Sequence, residues 1–257
     1  MLATMPIDLP LLPLGSWFPQ GSWPQLPCGS CATGALRVSR PTEIDASARY
    51  RDHPDWDPEW IRGYFTSEAE CMNPDCRSVG LVTGRMKVDA DVDERGHWHG
   101  DYDTFYRVTF CDPPLRLVAA PTDTPDDVKR AIHSAALVIW ADASCAANRL
   151  RAAVEHLLTH LDVPRNGSSA HERIKRLAAK RPDVATVLEA VKWIGNDGSH
   201  GELPLKDVLE GAALLERALA MVYDTSAEEL HRLAKAINAE RRAHKTRASS
   251  AKQARES

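Results

Sequence analysis

Ser144-Cys145-Ala146-Ala147-Asn148-Arg149-Leu150-Arg151-Ala152-Ala153-Val154-Glu155-His156-Leu157-Leu158-Thr159-His160-Leu161 is the stretch on which the fold of this 257-residue chain turns. Ala146, Leu150, Ala153, Val154, Leu157, Leu158 and Leu161 recur at spacings of three and four, which predicts a helix with one broad apolar face. Before it, Pro125 opens a segment in which Val128, Ala131, Ile132, Ala135, Val138 and Ile139 repeat the pattern. Only a few residues around Asp142 separate the two, so they should form an antiparallel helical hairpin. After it, Ile174 and Leu177 mark a short third helix, and Val184, Val187, Leu188 and Val191 a fourth. Leu205, Val208, Leu209, Ala212, Leu215, Leu219 and Val222 mark a fifth. Ser226-Ala227-Glu228-Glu229 has the form of a capping box for a sixth, with Leu230, Leu233, Ala234 and Ile237 as its stripe. The stripe fades after Arg241. Residues 121–247 therefore read as a helical bundle, and residues 248–257 as a disordered basic tail that has no apolar face to bury.

Residues 1–120 have a different character, rich in Pro, Gly, Trp and Asp and with little helical period. Ser78 to Val92 and Trp98 to Phe110 alternate apolar and polar residues and are joined by Asp93-Glu94-Arg95-Gly96, which predicts a β-hairpin. Residues 42–70 carry little pattern, although Asp57-Pro58-Glu59-Trp60 suits the start of a short helix with Pro at its first position. The expected class is α+β, a small hairpin-and-loop domain ahead of a helical bundle, with the boundary near Pro121.

Two close cysteine pairs punctuate the first domain: Cys28-Gly29-Ser30-Cys31, and Cys71 with Cys76 just before the hairpin. Four thiolates on two turns suit tetrahedral zinc, and a loop-rich domain benefits from such a staple. The assigned cofactor is one structural Zn on Cys28, Cys31, Cys71 and Cys76; the alternative is four unrelated thiols. Cys111 and Cys145 stand alone and read as small buried hydrophobes. His97 and His99 flank Trp98 beside the hairpin turn and read as an exposed tip. The carboxylates from Asp89 to Asp101 do not form a calcium loop, because Glu94 replaces the turn glycine and Gly100 the closing carboxylate. No phosphate-binding glycine loop with its lysine is present, which argues against an ATPase.

Net charge is −4, but residues 231–257 carry eight Lys or Arg against two Glu, so this end is +6 and the remainder −10. Arg241, Arg242, Lys245 and Arg247 are thus candidates for phosphate contacts with RNA or DNA; a merely solvated run is the alternative. The apolar run near Leu9 to Leu14 is broken by Pro10 and Pro13 and makes a poor signal peptide. Nor does a later run reach the length of about 20 apolar residues that a spanning helix needs. A soluble, cytoplasmic protein in which the cysteines stay reduced is expected.

The remaining motif is Lys192-Trp193-Ile194-Gly195-Asn196-Asp197-Gly198-Ser199-His200. If helical winding persists, Lys192, Asn196 and His200 fall four residues apart on one face, where a cation, an amide and an imidazole would converge. Such a trio could bind and cut a phosphodiester, with Arg149 or Arg151 lending charge; the alternative is a polar helix end that caps its neighbours.

Pro121 to Tyr223 resembles the bacterial domain of unknown function numbered 4145, which occurs beside restriction and other defence genes. The resembling residues are Pro121, Pro125-Asp126-Asp127-Val128, Ala146-Ala147, Arg151, Val154-Glu155, Gly195-Asn196 and His200. The resemblance implies a plan similar to the HEPN superfamily, whose active members are dimeric, metal-independent ribonucleases using an Arg and a His at a shared cleft. Lys192 stands where the family usually has Arg, and a lysine is a point charge rather than a bidentate fork. Three functions follow as expectations. The first is an adaptor that binds nucleic acid or a partner protein of a defence or restriction system. The second is an endoribonuclease using His200 as base and Lys192 as charge partner. The third is a structural dimerisation module; a homodimer through the helical domain is expected in each case.

Overall fold

Strict alternation of inward and outward side chains builds the first half of the chain into one antiparallel sheet. The protein is represented by a computed structural model that describes residues 9–31, 33–92, 97–198, 201–224 and 232–238. Its strands are β1 (Phe18–Pro19), β2 (Leu26–Pro27), β3 (Ala35–Val38), β4 (Thr42–Asp45), β5 (Arg62–Cys71), β6 (Val79–Val92) and β7 (Trp98–Asp112). They are ordered β1-β7-β6-β5-β3-β2, with β4 also pairing β5. The hairpin read from sequence is β6–β7, with register shifts at Thr83/Gly84 and Ala90/Val92 that curl it.

β5 is the element the sequence did not announce. Its inward residues include Gly63, Phe65, Ser67, Ala69 and Cys71, only two of them large or strongly apolar, so hydropathy alternation is faint although burial alternation is complete. The inner face carries Phe65, Val82, Met86, Val88, Tyr106 and Val108. Phe65 packs on Tyr106 at 4.8 Å between ring centres, and Trp23 stacks on Tyr106 at 5.9 Å. This half therefore packs an apolar inner face and is not the loop-dominated segment that its Pro and Gly content suggested.

The second half is helical: α1 (Asp126–Val138), α2 (Ala143–His160), α3 (Ala170–Ala178), α4 (Pro182–Asp197) and α5 (Leu205–Tyr223), with residues 232–238 also helical. The Asp142 carboxylate caps α2 by accepting from the Cys145 amide at 2.7 Å, and Ser169 with Glu172 forms a full capping box on α3. α2 lies at the centre, packed against α1, α4 and α5. Its Leu150, Leu157 and Leu158 are fully buried, each stabilising the fold by about 1.5–3 kcal/mol. One continuous apolar cluster joins helices and sheet through Leu14, Leu115 and Val118.

The start of the sixth helix at Ser226 and the tail beyond residue 240, including Arg241, Arg242, Lys245 and Arg247, lie outside the described residues. So does His200. No helix among the described residues is long and apolar enough to cross a membrane.

Candidate functional site

Sheet pairing, rather than sequence proximity, assembles the cysteines. β2 and β3 form a short hairpin whose loop holds Cys28 and Cys31, and β3 pairs β5 with Leu36 opposite Cys71. The turn between β5 and β6 then returns Cys76 beside Cys28. All four Sγ atoms lie within 4.8 Å of one another, with Cys28 to Cys76 at 3.9 Å and Cys31 to Cys71 at 3.7 Å. An ion at about 2.3 Å from four sulfurs in a tetrahedron sets them about 3.8 Å apart, so the quartet is close enough to hold a metal ion.

The surroundings favour the thiolate at Cys28 and Cys31. The Ser30 amide donates to Cys28 Sγ at 3.4 Å, and the Asn73 side-chain amide to Cys31 Sγ at 3.8 Å. For Cys28, burial pushes the thiol up, but hydrogen bonds from Ser78 and the Cys31 and Ser30 amides outweigh it and bring it down to about 6. Cys71 moves the other way, to about 12, because it is desolvated and because ionised thiol neighbours discourage a further negative charge. A bound dication would remove that conflict. Gly34 is part of the cradle: a Cβ there would sit 2.3 Å from Cys71 Sγ and 2.9 Å from Cys31 Sγ. Cys111 is buried and is not one of this group, its thiol raised to about 12 by desolvation, and Cys145 is half-buried on α2.

The polar insert closes a different cluster, among α2, α3 and α4. Winding persists to Asp197, and Gly198 still has right-handed helical angles as the C-cap. Gly195 lets α4 approach α2, because a Cβ there would lie 2.5 Å from Arg151 Cβ and 3.1 Å from the Ala147 carbonyl. This approach places Arg151 Nη1 3.0 Å from Asn196 Oδ1, while Arg151 Nε reaches Glu155 at 3.3 Å. Lys192 is only 2% exposed. Its Nζ sits 3.4 Å above the Trp193 ring and 3.4 Å from His171 Nδ1, which itself lies 3.3 Å from Glu189. Desolvation lowers the Lys192 pKa, Glu189 opposes the shift, and Arg151 and Lys175 add to it. The structure thus brings Lys192 and Asn196 to one interhelical face, with Lys192 enclosed.

Sequence reasoning missed His171 and Glu189 as neighbours of Lys192, since α3 contributes one of them from a segment whose only signal was two apolar residues. It also missed Asp127, which accepts from His160 Nε2 at 2.9 Å and lies 3.1 Å from His156 Nδ1, tying the start of α1 to the end of α2. An i, i+4 histidine pair was the available signal.

Residues 133–240 match the family model of Domain of unknown function (DUF4145), and residues 16–111 match that of Domain of unknown function (DUF8608). The cysteine quartet falls in the second match and Lys192, Asn196 and His200 in the first. No curated protein and no solved structure matches the chain.

Proposed function

We propose that this protein is a zinc-stapled adaptor that associates with nucleic acid and does not cut it. The observation that carries this reading is the burial of Lys192 between Trp193 and His171: a cation that must grip a phosphate in the transition state has to reach solvent, and this one does not. Its neighbours are satisfied by one another, Arg151 by Asn196 and Glu155, as expected of a cluster that fixes helix packing. The cysteine quartet supports a structural zinc, because all four positions come from protein sulfur and none remains for water or substrate. The excess of Lys and Arg after residue 231 supports a polyanionic partner. The setting in bacterial defence or restriction, and a homodimer through the helices, rest on the resemblance of the helical segment.

The test uses the full chain with labelled RNA and DNA, read for retardation and for fragments in the same gel. Retention of intact strands, together with one zinc per chain by elemental analysis, is the expected outcome. RNA fragments that disappear with His200→Ala would establish the endoribonuclease in its place.

A further inference from the structure

The outer face of the sheet alternates cations with aromatic rings. Across three strands, Tyr64 on β5 stands opposite Arg85 on β6, which stands opposite Arg107 on β7. The next row outward along the strands is Arg62, Lys87 and Phe105. All six lie on the side away from the core, since their sequence neighbours Gly63, Phe65, Met86, Val88 and Tyr106 point inward and are buried. Tyr64 is 50% exposed. Trp17, just before β1, extends the same face, with Lys87 5.3 Å and Arg107 5.5 Å from its ring centre.

Charge is sorted along the strands. Asp89 and Asp103 pair at the end nearest the hairpin turn, and Glu68 and Asp112 flank Leu81 at the other end. Asp89 contacts Lys87 and lies 3.6 Å from Arg62. Arg85 and Arg107, in the middle, have no ion-pair partner among the described residues. Two like charges directly opposite on adjacent strands destabilise a sheet, so their juxtaposition costs stability that an anion would restore. Arg62 also lines an open groove of about 560 Å³ between Tyr50 and Trp60, both more than 40% exposed, so the aromatic surface continues past the sheet edge.

Resting on the reading that the protein associates with nucleic acid, we infer that this face is a platform for single-stranded nucleic acid, with bases on Tyr64 and Trp17 and phosphates at Arg85 and Arg107. Cations supply a sequence-independent phosphate term, and exposed rings offer stacking to any base. Neighbouring positions on one face repeat at about 7 Å along a strand and about 4.8 Å across strands, the scale of one nucleotide step in an extended chain. A duplex suits the face less well, because its base planes are already covered by their neighbours and cannot stack on exposed rings.

The test is fluorescence anisotropy of the full chain with labelled oligouridine, with the same strand in a duplex, and with polyglutamate as competitor. The single strand should bind at least about tenfold tighter than the duplex. Arg85→Glu with Arg107→Glu should weaken it tenfold or more and reduce the salt slope by about 1.4, at roughly 0.7 for each phosphate no longer neutralised. Tyr64→Ala should cost about fivefold or more. Unchanged circular dichroism and zinc content show that each variant is folded, and Arg85→Gln with Arg107→Gln repeats the test without reversed charge. If the chain binds strands and neither the arginine pairs nor Tyr64→Ala matters, this face is overturned while the adaptor reading stands. Absence of binding by the unaltered chain overturns both. Displacement by polyglutamate at equal charge concentration overturns the nucleic-acid assignment in favour of an acidic protein partner.

Discussion

Gly34→Ala places one methyl group against the cysteine quartet. The added Cβ would lie 2.3 Å from Cys71 Sγ, 2.9 Å from Cys31 Sγ and 3.2 Å from Asn73 Cβ. Non-bonded contact needs about 3.5 Å or more, so Cys71 must retreat by roughly 1 Å, whereas metal–sulfur distances tolerate only about 0.2 Å. Structural zinc in four-ligand sites is worth about 10–16 kcal/mol, and one of four ligands about a quarter of that, near 2.5–4 kcal/mol. At 1.4 kcal/mol per tenfold, zinc affinity should fall by roughly two to three decades. Competition against a chromogenic chelator measures this directly, and cobalt substitution reports whether the four-sulfur field survives. Gly21→Ala is the control, since a Cβ there meets nothing within 4 Å. Gly34→Ala binding zinc within threefold of the parent would refute the geometry argued for the site. Because Phe65, Val82, Met86 and Tyr106 belong to the continuous apolar core, zinc removal should loosen residues 26–38 and 71–78 in hydrogen exchange while β6 and β7 stay protected.

Further outcomes are expected at Lys192, Gly195 and Asp127. Lys192→Met keeps the aliphatic bulk and removes a desolvated charge, so the thermal midpoint should hold or rise by about 2–4 °C per kcal/mol gained; a clear fall would show that the ammonium contributes net stability. Because folding lowers this lysine's pKa, the unfolded chain binds more protons just below 10.5, so stability should rise with pH there and the Lys192→Met protein should lose that rise. Gly195→Ala should push α4 off α2 and cost about 1–3 kcal/mol in urea melts, against about 1 kcal/mol gained if the helix were isolated; equal midpoints would contradict the close approach. Asp127 is raised by burial but lowered further by the His160 hydrogen bond and the Val128 amide, to a net value below 3.8, so its stabilisation is present above that pH and is lost as pH falls through the folded value. Denaturant melts stepped from about pH 6 to about pH 2 should show this acid-side slope, and Asp127→Asn should flatten it.

What the sequence determined by itself is what repeats locally. The helices from Asp126 to Tyr223 were legible because Ala146, Leu150, Val154, Leu157 and their counterparts recur at the period of one buried face. The β6–β7 hairpin was legible because both strands alternate around a turn-forming loop. The grouping of the cysteines was legible as two pairs, since thiols are rare enough for spacing to carry information.

Only the tertiary structure decided the rest. β5 was invisible because Gly63, Ser67 and Ala69 are buried by close approach of neighbouring strands, which hydropathy does not encode. The same strand brings Cys71 across from Leu36 and Tyr64 across from Arg85, so both the cysteine quartet and the basic–aromatic face depend on pairing between residues far apart in sequence. Lys192 shows the converse. Its spacing to Asn196 placed the two on one helix face, but whether that face met solvent or α3 depended on where Trp193 and His171 came to rest. Local sequence sets which side chains share a face, and packing between elements sets what that face can touch.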